Sequence, residues 1–209
     1  MERVPDDRTF ERFAGICAIV VGAGGFAYAI AFVTILNGGG NSAEKASSVF
    51  LLLGGLLSTA VLVGLYERLR VRGGAFALWA LLLGVVAAIG SAVHGGYDLA
   101  NAINHPKTNL SLPSSVDPRG LLTFGVTAIA ALVVGWLILR TGAFPRNLGY
   151  LALASGVLLI VIYLGRLIVL DPKSPVLLVA ALLAGFIVDP AFYVWLGMEL
   201  RRGERREHG

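Results

Sequence analysis

Charge is the first thing this chain lacks. Only 14% of its 209 residues are Asp, Glu, Lys or Arg, against about 25% in soluble domains. The few charges are also unevenly spread. None falls in 13–43, 46–66, 73–97, 120–139 or 147–165. A mean hydropathy of +0.79 and runs of this length exclude an ordinary soluble domain, since about 20 apolar residues make a helix that crosses a bilayer. Alternation of polar and apolar residues is missing too, which excludes a transmembrane barrel. With one cysteine, Cys17, no disulfide can form within the chain. No lysine lies inside a span, so a retinal Schiff base is excluded. The three histidines, His94, His105 and His208, are placed neither for a two-histidine haem site nor for a three-histidine zinc site. No metal or other cofactor is expected. The N-terminal "MERVPDDRTFERF" has no small-residue cleavage site, so the first apolar run reads as a retained helix.

What is present is a series of six apolar segments, roughly 13–36, 47–69, 75–102, 121–140, 147–170 and 175–200. The sixth carries one charge, Asp189. Turn chemistry separates them: "NGGGNS", "RVRGG", "HPKTNLSLPSSVDPRG", "RTGAFPRN" and "DPKSP". The expected fold is an all-α, polytopic transmembrane bundle of six helices forming a single domain over 1–209, with 203–209 as a flexible cytoplasmic tail. Twelve Lys and Arg residues fall on the side that holds both termini and the loops after the second and fourth segments. Four fall on the other side. The positive-inside rule then puts both termini in the cytoplasm of a multi-pass plasma-membrane protein. The net charge of +4 reads as topological. No concentrated basic face with nucleic-acid readers is visible, so nucleic acid is not an expected partner.

"GAGGFA" at 22–27 has the look of a dinucleotide loop, but it has no strand before it and no acid about 20 residues on. Small residues for close helix packing explain it better. The chemistry concentrates elsewhere, in "AVHGGYDLANAINHP" at 92–106. If the third segment stays helical to His105, then Ser91, His94, Asp98, Asn101 and His105 share an arc of about 80°. Such a stripe must face protein or water, because polar side chains in lipid are costly. Two further charges lie in spans: Arg166 with Tyr163 one turn before it, and Asp189 beside Pro190. Matching depth pairs Asp98 with Arg166, with His94 and Tyr163 nearby. Asp189 is deeper, and would be held by Tyr28, Ser58 or Thr59, by water, or in its protonated form. Pro190 makes a bend expected there.

"RTGAFPRNLGYLALASGVLLIVIYLG" at 140–165 resembles a pattern in a large group of bacterial six-helix membrane proteins classed only as a domain of unknown function. Arg140, Gly142, Pro145, Arg146, Leu148 and Gly149 carry the resemblance, with the mid-span acid and "WLG" of the last segment. It implies a six-helix bundle and transfers no catalytic residue.

The candidate site is thus an outward-facing polar pocket of His94, Asp98, Asn101, Tyr163, Arg166 and Asp189. Its expected role is to bind or sense a small molecule or lipid headgroup, or to serve a membrane protein partner or homo-oligomer. The alternative is a membrane enzyme or transporter using His94, Asp98, Arg166 and Asp189. A helical i, i+4 His–Asp pair can act as acid and base or supply two metal ligands.

Overall fold

The computed structural model of the protein describes residues 5–104, 119–169 and 174–202, with side chains from Thr9 onward. His105 and the tail 203–209 lie outside the described residues. The described residues are 94% helix, with no strand among them. Five helices are long and apolar enough to cross a membrane. They are α1 (Pro5–Leu36), α2 (Asn41–Asn104), α3 (Leu121–Thr141), α4 (Arg146–Ile168) and α5 (Pro175–Arg202).

Straight, the 64 residues of α2 would extend about 96 Å at 1.5 Å per residue, three times the hydrocarbon thickness of about 30 Å. It is not straight. Gly74 has φ 51° and ψ −130°, a conformation that only glycine takes without strain. Two arms, 41–73 and 75–104, fold back on each other from that point. Leu62 meets Gly84, Gly55 meets Ala88, and Leu52 meets Gly95. A β-carbon on Gly55 would stand 2.5 Å from the Ala88 carbonyl oxygen, so the arms touch backbone to backbone.

A second antiparallel pair, α3 and α4, is closed by the turn the sequence marks with glycine and proline. Gly142 caps α3 in the left-handed conformation, and its N–H bonds to the Ile138 carbonyl at 3.1 Å. Pro145 then leads into α4. In the third pair, α1 runs against α5. Gly15 meets Gly197, Gly22 meets the Pro190 carbonyl and Val194, and Ala29 meets Gly185.

The arginine-bearing ends converge. Arg68 bonds to Glu11 at 3.2 Å and to the Leu200 carbonyl at 2.8 Å, and Arg72 bonds to the Thr141 carbonyl at 2.8 Å. Each therefore satisfies a carbonyl that a helix C-terminus leaves without an intrahelical partner. Below them lies the main core. Leu69, Leu137, Ile138, Leu148, Leu196 and Leu200 are fully buried there. Large apolar side chains such as Val20, Leu56, Leu82, Val157 and Ile187 are exposed around the outside. A bilayer is the solvent that makes such a surface favourable.

Candidate functional site

Away from the arginine end the helices enclose space. A cavity of about 240 Å³ lies among α1, both arms of α2, α3, α4 and α5. Its walls are mostly apolar, with Ser58, Ser91, Thr123, Ser155, Asp189 and Tyr193 as polar points. A second cavity of about 410 Å³ lies between α1, α4 and α5, with Phe124 of α3 on its wall. Tyr28, Phe124 and Asp189 belong to both. Two of the glycines in "GAGGFA" and "LLGGLL" explain part of this space. Nothing lies within 4 Å of where a β-carbon on Gly25 or Gly54 would be, and both line the cavities. The packing role expected for "GAGGFA" is thus met at Gly22 and not at Gly25.

Both cavities are flanked by wide helical turns. Pro190 has no N–H to donate and its ring crowds the carbonyl four residues earlier. Before it, α5 widens into a π turn over Ala184–Val188, where the Asp189 N–H bonds to the Ala184 carbonyl. α3 starts with a similar turn, Leu121–Val126. The Thr127 hydroxyl donates to the carbonyls of Leu122 at 3.3 Å and Thr123 at 2.9 Å, occupying acceptors there. π turns recur at functional sites, and here each one presents a cavity-lining side chain, Phe124 or Asp189.

Asp189 faces the bundle interior. The Ser155 hydroxyl of α4 donates to its Oδ1 at 2.5 Å. The partners expected from the sequence were different. Ser58 returns its hydroxyl to the Gly54 carbonyl and stands within hydrogen-bonding reach of Tyr193. Thr59 bonds to the Leu56 carbonyl. Neither replaces Ser155, and Tyr28 lines both cavities with Asp189 without bonding to it.

The expected Asp98–Arg166 pair is also corrected. Asp98 Oδ1 accepts from Arg119 at 2.8 Å, and Arg119 stacks on Tyr97 at 4.4 Å. Arg119 precedes Thr123 by about one turn, and α3 packs directly on the second arm of α2, so this cation reaches Asp98 first. Arg166 instead lies over the Phe124 ring at 5.1 Å and lines the larger cavity. Among the described residues it has no carboxylate at ion-pair distance.

His94 joins the two sides of this arrangement. Its Nε2 is 3.4 Å from Asp98 Oδ2 and its Nδ1 is 2.9 Å from the Thr123 hydroxyl. A carboxylate only accepts, so in the neutral ring Nε2 carries the proton and Nδ1 accepts from Thr123. A chain of Arg119, Asp98, buried His94 and Thr123 thus runs from a half-exposed carboxylate to the wall of the smaller cavity. Asn101 and Tyr163 are half-buried and line neither of the two cavities; Tyr163 packs on Gly125. Of the six residues singled out from sequence, four fall into two groups, His94 with Asp98 and Arg166 with Asp189, and Asn101 and Tyr163 belong to neither. Ser155, Thr123 and Arg119 were missed. A serine or threonine in an apolar helix has many possible neighbours, and Arg119 reads in the sequence as a loop charge.

No group of three His, Cys, Asp or Glu side chains among the described residues could hold a metal ion. No family model, curated protein or solved structure matches the chain, so its chemistry is read from its own residues.

Proposed function

We propose that this is a bacterial plasma-membrane protein that crosses the bilayer six times with both termini cytoplasmic, and that it binds an amphiphilic small molecule or lipid from the membrane. The two arms of α2 supply two of the spans, because one arm of 41–73 or 75–104 already exceeds the hydrocarbon thickness. The twelve-to-four division of basic residues supports the orientation. Reporter fusions after Arg72 and Gly209 should read cytoplasmic, and one within 111–117 external; an external tail would overturn the orientation.

The observation that carries the binding reading is the larger cavity. It has the small-ligand size expected of a binding pocket, roughly 300–1,000 Å³, with apolar walls and few polar groups. It also lies where α1 and α5 part. Their tight contact ends at Ala29 and Gly185, and beyond it Phe32 and Val33 face the cavity from one side, Leu178 and Leu182 from the other. A molecule dissolved in the bilayer can enter there without crossing water. A long-chain alcohol bearing a diazirine, photolysed with the protein in liposomes, should label residues of 25–33 and 177–186. Gly25→Leu, which fills the space, should reduce that labelling at least fivefold. Equal labelling of wild type and variant, or labels confined to outward residues such as Val20 and Val157, would rule the cavity out as the binding site.

A further inference from the structure

The face that α4 turns to the cavities has a pattern. Ser155, Leu159, Ile162 and Arg166 follow one another at i, i+4, i+7 and i+11, within an arc of about 60°. All four line one or other cavity. The stripe is polar at both ends and apolar between. Its ends are eleven residues apart, which is about 16 Å along the axis. Asp189 extends the inner end, since Ser155 is bonded to it. Gly185, Leu182 and Leu178 continue from Asp189 along the facing side of α5, again lining the cavity.

Both polar ends have unused capacity. Asp189 Oδ2 has no hydrogen-bond partner among the described residues, yet no buried side-chain oxygen there is left unsatisfied. This oxygen is therefore open to the cavity. Arg166 spends its guanidinium on the Phe124 ring face, which leaves its in-plane donors free for an anion.

We infer that the ligand is a single-chain amphiphile with two polar ends, an anionic group held by Arg166 and a hydroxyl held by Asp189, whose partner Ser155 stands about 16 Å deeper along α4 than the Arg166 backbone. A hydroxyl suits the inner end because it can donate to a carboxylate or accept from a carboxylic acid. The apolar stretch between the ends matches Leu159, Ile162 and Leu182. A cavity of about 410 Å³ is at the small end of ligand pockets, which favours one chain over two. The anion is the carboxylate of a free hydroxy acid or the phosphate of a single-chain lipid.

This inference rests on the cavity-binding reading above, and the test separates the two. In liposomes, 12-hydroxydodecanoate, dodecanoate, 1-dodecanol and the monophosphate of 1,12-dodecanediol compete with the diazirine alcohol for labelling. Either two-ended compound should compete at least tenfold more strongly than both dodecanoate and 1-dodecanol; the stronger of the two identifies the anion. Arg166→Met should erase the advantage over 1-dodecanol, and Asp189→Leu the advantage over dodecanoate, while Asp189→Asn retains most of it. Should Asp189→Leu fail to fold, the competition series on the wild type and Arg166→Met decides alone. If the cavity is labelled but 12-hydroxydodecanoate and the diol phosphate compete no better than dodecanoate, the two-ended ligand is wrong and the binding site stands. If no cavity residue is labelled, the binding reading falls first.

Discussion

The two ends of this bundle are built from the same few residue types and do opposite things with them. At the arginine end, glycine brings helices together: a β-carbon on Gly197 would stand 2.5 Å from the Gly15 carbonyl oxygen. At the hollow end some glycines leave room instead: Gly55 still packs on Ala88, but nothing lies within 4 Å of a β-carbon on its neighbour Gly54. Arginine divides the same way. Arg68 and Arg72 spend their donors on the C-terminal carbonyls of α5 and α3, whereas Arg166 lies on a cavity wall. The contrast teaches that a bundle can separate stability from binding along its axis. Satisfied helix ends and close backbone contact hold one end, while at the other, close contacts such as Gly55 on Ala88 alternate with glycines that leave space.

The strongest way to break this comparison is to put the same side chain at the two kinds of glycine. Gly197→Leu should cost about 3 kcal/mol or more, because overpacking a backbone contact forces the helices apart. Thermal unfolding in detergent should show a large drop in midpoint or no folded peak at all. Gly54→Leu should unfold within about 1 kcal/mol of the wild type, since its side chain enters empty space and leucine is the better helix former. Equal losses would mean that the cavity end is as tightly packed as the other.

Replacing the arginines sharpens it with smaller effects. Arg68→Met removes an ion-pair partner from Glu11, whose side chain is only 13% exposed, and uncaps Leu200. A loss of about 3 kcal/mol is expected. Arg119→Met should cost under about 1 kcal/mol, because Asp98 is 40% exposed and water can replace the pair. The smallest effects decide the pairing itself. Asp98→Asn combined with Arg119→Met should cost less than the two single losses together. Asp98→Asn combined with Arg166→Met should add to within about 0.5 kcal/mol. Additivity in the first pair and coupling in the second would restore the Asp98–Arg166 bridge.

How much of the site could be read in advance depended on whether the information was local. That Asp189 must turn inward follows from the cost of a carboxylate in lipid, and one residue suffices to argue it. That His94 and Asp98 share a face follows from i, i+4 geometry within one helix. Their partners follow from neither. Ser155 is 34 positions from Asp189 and carries no mark that separates it from Ser58 or Thr59. Depth along the membrane suggested Arg166 for Asp98, but depth is one coordinate, and Arg119 occupied the same level on the adjacent helix.

The sequence by itself determined that the chain is helical, apolar enough for a membrane, and broken at "RVRGG" and "RTGAFPRN". These follow from run length, from glycine's access to positive φ at Gly74 and Gly142, and from proline at a helix entry. Only the tertiary structure decided which glycines touch a neighbour and which leave a void, which cation neutralises Asp98, and that Arg166 and Asp189 border one cavity. The physical reason is that helix periodicity fixes the direction of a side chain relative to its own axis. What that direction meets is set by the rotation and tilt of the other helices, which are chosen by packing across the whole bundle.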